Sequence, residues 1–364
     1  MAIRPRSTDS WPRTITNKES HHLLNDLNDL YRSGRTARQA LDHIPPLLKK
    51  FRQAVLAAAF RGDLTRDWRE QHSDVEPASV LLERIRAERR RKCEEDLRAK
   101  GKDPRKAKYE EPVLMDIKEQ PELPEGWSWT TVDTVTYRVT SGSRAWKTRC
   151  GTGTGTFILA QNIRPGLLDL SHRTRVNAPD DLEAFRTRVE VGDILVTIVG
   201  NTGDTCVVTE DPGEAYVCQS VALLRPVESL TCRWLGLYLQ SDLGGQRQFR
   251  EFQYGMGRAH LGLLHLRQTV VPLAPLTEQC YVVERIDELF SQADAIEAAV
   301  EAAWRRAERL EQSILARAFR GELVPQDPDD DPASLLLERI RAERPKERVV
   351  KQPAASGKNG AADV

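Results

Sequence analysis

The sequence predicts an α+β protein: one globular domain with a mixed or antiparallel β-sheet, flanked by long helices that form an antiparallel coiled coil. Three observations carry this. A short segment occurs twice, apolar residues recur at spacings of three and four before each copy, and the residues between the copies change in character. A length of 364 residues leaves room for about two domains. With 30% charged and only 6% aromatic residues, long solvated helices beside a smaller packed body fit better than one sphere.

The duplication organises the chain. Pro77-Ala-Ser-Val-Leu-Leu-Glu-Arg-Ile-Arg-Ala-Glu-Arg89 returns as Pro332-Ala-Ser-Leu-Leu-Leu-Glu-Arg-Ile-Arg-Ala-Glu-Arg344, with only Val80 and Leu335 differing. Upstream, Ala59-Phe60-Arg61-Gly62-Asp63-Leu64 is echoed by Ala318-Phe319-Arg320-Gly321-Glu322-Leu323. The second heptad stretch places Val282, Ile286, Leu289, Ala293, Ile296, Val300, Ala303, Ala307, Leu310 and Ile314 on one seam. Leu276 to Phe319 is a helix of about 65 Å at 1.5 Å rise, with Gly321 as its left-handed cap. The first stretch runs through Leu23, Leu27, Leu30, Gly34, Ala37, Leu41, Ile44, Leu48, Phe51, Val55 and Ala58, and Pro45-Pro46 predicts a kink or short break. Seams this narrow need a partner helix, and the simplest is the other stretch, antiparallel. Two unrelated core helices are the alternative.

From Glu122 to Pro275 the content of Thr, Val, Gly and aromatic residues rises. Strands are expected at Trp127–Val132, Thr156–Leu159, Asp193–Val199, Thr205–Val208 and Ser220–Leu224, with a tight connection at Gly200–Asp204 and helical periodicity from Arg233 to Arg250. The expected organisation is an unstructured or truncated leader at 1–20, a first helical region at 21–100, a linker at 101–121 and the globular domain at 122–275. A long helix at 276–320, a second helical repeat at 321–347 and a disordered tail at 348–364 complete it.

The net charge is zero, 54 basic against 54 acidic residues, yet the charges are segregated. Arg89–Lys108 carries +6; Thr134–Leu168 carries +5 with no acid; Asp180–Glu214 carries −7. One face can therefore be positive. No apolar run approaches the ~18 residues of a membrane span, and the N-terminus has no signal-peptide apolar segment. Six cysteines without a C-x-x-C pair or zinc-like spacing read as buried or idle thiols of a reducing, cytoplasmic setting.

Several segments are similar to a known family. Leu123-Pro-Glu-Gly-Trp-Ser-Trp129 looks like the opening of a target-recognition domain of type I restriction-modification specificity subunits, and Gly192-Asp-Ile-Leu-Val-Thr-Ile-Val-Gly200 like its central hairpin. Gln219-Ser-Val-Ala-Leu-Leu-Arg-Pro226 resembles the strand that follows. Leu261 to Pro275, leading into Leu276-Thr-Glu-Gln279, resembles the exit into a coiled-coil helix, and the Ala-Phe-Arg-Gly-Glu-Leu tail also fits. The family usually carries two such domains; this chain carries one, as a half-size subunit would.

The resemblance implies a non-catalytic subunit that reads one half-site of double-stranded DNA and docks methyltransferase subunits and a motor-nuclease subunit. S-adenosylmethionine, ATP and Mg would belong to those partners, with no cofactor of its own. A homodimer would supply the second domain and favour an interrupted palindrome. The alternatives are a coiled-coil scaffold without a DNA role and a fused methyltransferase or nuclease fragment. The residues argue against the enzyme readings. There is no Asn/Asp-Pro-Pro-aromatic loop for an extruded base, and Asp180, Asp181 and Glu183 have no nearby Lys for metal-assisted hydrolysis. Gly151-Thr-Gly-Thr-Gly-Thr156 lacks the Gly-Lys-Ser/Thr of a phosphate loop and reads as a flexible connection or a loop touching DNA phosphate. No catalytic or metal-binding residue is expected.

DNA sequence is read by Arg on guanine and Asn or Gln on adenine, while Lys and Arg hold phosphates. Ser141, Ser143, Arg144, Lys147, Arg149, Gln161, Asn162 and Arg164 supply such groups in the acid-free stretch, and Gln253, Tyr254, Arg258 and His260 form a second group. Taken singly, each of these residues also reads as a solvated or turn-stabilising side chain. The basic stretch Arg89–Lys108, interleaved with Glu94, Glu95 and Asp96, reads as a solvated helix face.

Overall fold

The computed structural model describes residues 17–99, 101–106, 109–113, 120–142, 144–227, 229–254, 259–320, 322–323 and 333–343. The first heptad stretch forms α1 (Asn17–Asp42) and α2 (Ile44–Phe60), broken at His43. Pro45 and Pro46 explain the break, since proline donates no amide hydrogen and is tolerated only in a helix's first turn. Gly62 ends the segment with φ 76°, and a Cβ there would lie 2.5 Å from Pro124. Short α3 (Arg66–Gln71) and α4 (Ala78–Ala99), the first copy of the repeat, follow.

The described residues next form short strands, β1 (Ser128–Thr131), β2 (Thr136–Ser141), β3 (Cys150–Ile158), β4 (Ile163–Arg164), β5 (Leu167–Leu168), β6 (Thr174–Val176), β7 (Ile194–Thr197), β8 (Thr205–Val207), β9 (Ala215–Val217), β10 (Val221–Pro226) and β11 (Val270–Leu273). Among them lie α5 (Val132–Val135), α6 (Leu182–Thr187), α7 (Ser229–Gln240), α8 (Gly245–Phe252) and α9 (Leu263–Gln268). The chain then forms α10 (Leu276–Phe319), the 44 residues expected, and α11 (Ala333–Glu343) from the second repeat. The capping role expected of Gly321, the tail and residues 1–16 of the expected leader lie outside the described residues, whereas 17–20, also expected to be unstructured or truncated leader, open α1.

The chain divides into two compact units, Pro45–Glu297 and Met1–Ile44 with Ala298–Val364. Among the described residues the larger unit holds not one sheet but four: antiparallel β2-β10-β7-β8, mixed β6-β3-β9, and the pairs β1-β11 and β4-β5. Alternation along the four-stranded sheet builds two cores. Ile194, Val196, Ala222 and Leu224 face one core, shared with α2, α4, α7 and the start of α10; Leu195, Val221 and Leu223 face the other, with Trp146, Phe157 and Val217. Both faces are covered, so β10 is buried throughout. The turn expected at Gly200–Asp204 joins β7 to β8 in register Ile194↔Val207.

Charged side chains join the first core's helices to the domain. Arg89 is buried and donates to the Asp133 and Thr136 carbonyls at 2.9 and 3.1 Å. Arg138 forks onto Asp96 and lies 4.9 Å over the Phe185 ring. Two members of the positive stretches therefore serve packing rather than a partner, which corrects the view of Arg89–Lys108 as wholly solvated. Glu278, 1% exposed, accepts from Thr65 Oγ1 at 2.6 Å, Arg69 Nη1 at 2.7 Å and Trp127 Nε1 at 2.8 Å. One carboxylate thus joins the segment after α2, the beginning of the domain and the start of the long helix.

In α10, Val282, Ile286, Ala293 and Val300 are buried as expected of the seam, while Ile296 and Leu310 are exposed. A seventh-residue repeat drifts on a straight helix of 3.6 residues per turn, so some seam positions rotate off the covered face. The helical stretch expected at Arg233–Arg250 is interrupted by Ser241–Gly244, where the chain turns back on itself: Gly245 passes so close to Leu239 that a Cβ would lie 2.5 Å from its Cα.

Candidate nucleic-acid interface

The residues expected to read DNA do not all gather in one place, but two groups from distant parts of the sequence do. A cleft of about 530 Å³ is lined by Ser141, Gly142, Arg144, Val199, Gln219, Ser220 and His260. β2 delivers Ser141 to its rim, and Gly142 then passes the β9–β10 turn, donating its amide to Cys218 O at 3.2 Å. A Cβ on Gly142 would stand 2.0 Å from Val217 O, so only glycine permits the approach. The turn is tied down from three sides: Cys218 N donates to Ile158 O, Val221 N to Cys218 O and Ile198 N to Ser220 O, at 3.0, 3.1 and 2.9 Å. Exposed Gln219 is at its corner and accepts from Arg144 Nε at 2.9 Å.

The opposite wall comes from the segment after α8. Gly200 N donates to Ala259 O and Leu261 N to Ile198 O, both at 3.0 Å, which brings His260 beside Val199. Tyr254 and His260 exchange both backbone hydrogen bonds, and their rings stack at 5.8 Å and 24°. Tyr254 is exposed. Phe252 stacks on His265 at 5.1 Å, and the buried His265 Nδ1 has no partner among the described residues. The cleft thus offers a guanidinium, an amide, hydroxyls and an imidazole beside an exposed aromatic ring, the chemistry that base edges and faces require.

The other expected residues divide. Asn162 is 4% exposed, and its amide is spent internally: Nδ2 donates to the Asp169 and His172 carbonyls at 2.9 and 3.0 Å, and Oδ1 accepts from Leu159 N at 3.0 Å. It stabilises the turn around β4 and β5 and is not available to a base, which corrects its place among the readers. Gln253 is half-buried and donates to Thr202. Exposed Gln161 is in the one-turn helix after β3. Exposed Arg149 precedes β3 at its other end, and Arg164 opens the hairpin whose tip, Pro165–Leu167, lines a different groove with Asp204, Asp242, Asp287 and Asp294. Neither joins the cleft. Ser143, Arg258 and the Lys147 side chain lie outside the described residues.

The glycine-rich segment is strand, not an open connection, though a distorted one. Cys150 and Gly155 both pair with Val176, so Gly151–Thr154 bulges from β3. Gly153, at φ 92°, passes within 2.5 Å of Val176 O as measured from an added Cβ, and Thr154 donates to Glu214. Asp181 caps α6 by accepting from the Glu183 and Ala184 amides at 2.9 Å, a structural task for one of the acidic trio. Among the described residues no group of His, Cys, Asp and Glu could hold a metal ion, and no helix is long and apolar enough to cross a membrane. Gln219 was missed in sequence because it reads there as the residue leading into a strand; its contact with Arg144 spans 75 residues.

Fold and cleft together describe a class: an α+β domain with a polar cleft, lying in the chain between two copies of a helical repeat. Comparison with known proteins identifies it further. No family model matches. The EcoBI specificity subunit of a type I restriction enzyme from Escherichia coli is 30% identical over 342 residues, covering 90% of this chain and 63% of that protein. The EcoDI specificity subunit from Escherichia coli is 28% identical over 351 residues, covering 88% and 66%. A solved chain from a study of the type I R-M system superposes with a TM-score of 0.57 at 20% identity, covering 84% of this chain and 60% of that one, a likeness of fold. The chain is similar to type I restriction specificity subunits over most of its own length. It spans about two thirds of the length of the curated relatives it matches.

Proposed function

We propose that this chain is the non-catalytic DNA-recognition subunit of a type I restriction-modification complex, reading one half-site through a single target-recognition domain. The observation that carries the reading is the similarity to specificity subunits over 90% of the chain. The cleft supports it independently, because Arg144, Gln219 and His260 converge there from three separate segments. Methyltransferase subunits, with their S-adenosylmethionine, and a motor-nuclease subunit, with ATP and Mg, are the partners in this cytoplasmic assembly. The chain itself needs no cofactor.

In this reading α2 and α10 run antiparallel as a coiled-coil spacer. Within the larger unit, Arg52 bonds Asp294 and Glu297 while Thr65 bonds Glu278, so rising numbers meet falling ones. Within the smaller unit Arg38 pairs with Glu311 at 3.4 Å. The second repeat supports a further partner: Phe319, Leu337 and Ile340 are exposed, whereas their counterparts Phe60, Leu82 and Ile85 are buried. A homodimer is one arrangement that supplies a second domain, and a strict monomer in the methyltransferase complex, by mass, would remove it.

The test of the central reading is binding of the purified chain with its methyltransferase to duplexes selected from a random pool. One recovered motif, with affinity that falls steeply as salt rises, is the expected result. Recovery of no motif would refute it.

A further inference from the structure

We propose that Arg144 and Gln219 act as one unit that reads a guanine, an inference that rests on the DNA-recognition reading above. A free glutamine suits adenine, because its carbonyl accepts from N6–H while its amide donates to N7. Gln219 is not free: its Oε1 already accepts from Arg144 Nε at 2.9 Å. The groups left to the pair are donors, the two Arg144 Nη amino groups and the Gln219 amide. Guanine presents two acceptors in the major groove, N7 and O6, and matches them; adenine presents N6–H and would have to share the one oxygen already engaged.

The seat of the pair argues for a base rather than a phosphate. A phosphate accepts a guanidinium from many directions, so a contact of that kind gains little from a fixed ring plane. Here one bond orients the guanidinium, and its acceptor stands on a fixed turn. Nε is tied to Gln219, and Gln219 stands on a turn bonded to Ile158, Gly142 and Ile198. Gly142 admits no side chain where the chain leaving β2 toward Arg144 passes the β9–β10 turn that carries Gln219. Ser141, Ser220 and His260 border the same cleft, so the donors belong to a shaped recess and not to an open ridge.

The experiment uses the full chain with its methyltransferase and the motif recovered from the random pool. Each guanine of the motif is replaced in turn by 7-deazaguanine, which lacks the N7 acceptor, and by adenine, and affinities are read by fluorescence anisotropy. One position should be sensitive to both replacements. At that position Arg144→Ala and Gln219→Ala should reduce the preference for guanine by about 5- to 150-fold, with discrimination elsewhere kept. Arg144→Lys keeps the charge and loses the fork, so it should lose the same preference while retaining affinity for unrelated duplex. If all three variants weaken every duplex alike, or leave every preference intact, the guanine assignment is overturned while a recovered motif still upholds DNA recognition. If no motif is recovered from the wild type, both fall.

Discussion

Replacing Glu278 tests whether the domain is fastened to its helices through one buried carboxylate. Glu278→Ala removes the acceptor of three hydrogen bonds and leaves the Trp127 indole N–H, the Thr65 hydroxyl and the Arg69 guanidinium without it. Breaking a buried ion pair from one side costs about 3–5 kcal/mol. Arg69 retains 21% of its side-chain exposure, so water recovers part of its solvation and the lower end applies. A carboxylate in the first turn of α10 also gains about 0.3–1 kcal/mol from the helix dipole, which Glu278→Gln loses as well. The glutamine keeps the shape, but its amide turns a donor toward a donor at one of the three partners. With a hydrogen bond to a charged group worth about 1.5–3 kcal/mol, Glu278→Gln should cost about 2–3 kcal/mol. Urea unfolding followed by tryptophan fluorescence is the assay, since Trp127 packs edge-on to Trp234 at 5.3 Å and reports this core. A Glu278→Gln protein within 0.5 kcal/mol of the parent would refute the fastening.

The two copies of the repeat should respond unequally to the same substitution. Phe60→Ala, which empties an edge-on contact with Trp234 and Tyr238 at 4.9 and 5.1 Å, should cost about 3–5 kcal/mol in urea unfolding. Phe319→Ala, at a residue 83% exposed, should stay within about 0.5 kcal/mol. Burial pushes the Cys206 thiol up to about 12, so at pH 8 it stays protonated. Mass spectrometry after iodoacetamide treatment should find Cys206 unmodified in the native protein and alkylated in urea; native alkylation would contradict the packing. Gly142→Ala drives a methyl group into Val217 O and should abolish selective DNA binding while far-UV circular dichroism remains near that of the parent.

Much of the helical framework was legible in the sequence. The 44-residue helix, the break at Pro45-Pro46 and the repeat helices follow from periodicity and proline chemistry, which act over a few residues. The strands at Ile194–Thr197, Thr205–Val207 and Val221–Pro226 were legible as apolar runs between turn signals. The partition into four sheets was not, because β9 pairs in parallel with β3 and β11 pairs with β1 across more than a hundred residues. No local pattern encodes such partners. The site shows the same limit. Residue type singled out Ser141, Arg144 and His260, which line one cleft, and Tyr254, which stacks on His260, but type alone does not distinguish Asn162, whose amide is consumed by two carbonyls and an amide of its own neighbourhood. Charge counting erred for Arg89 and Arg138 for a related reason. Their counter-charges, Asp133 and Asp96, come from other segments.

The pairing of β1 with β11, Thr131 opposite Val270 and Ser128 opposite Leu273, stitches the two ends of the domain together beside Glu278. In the proposed reading, every residue that would read DNA is strung between those stitches as a closed loop of chain. Lengthening or exchanging that loop leaves its two anchor strands, and therefore the departure of α10, where they were. Such a construction lets new recognition surfaces arise by substitution within the loop without rebuilding the helices that other subunits would grip.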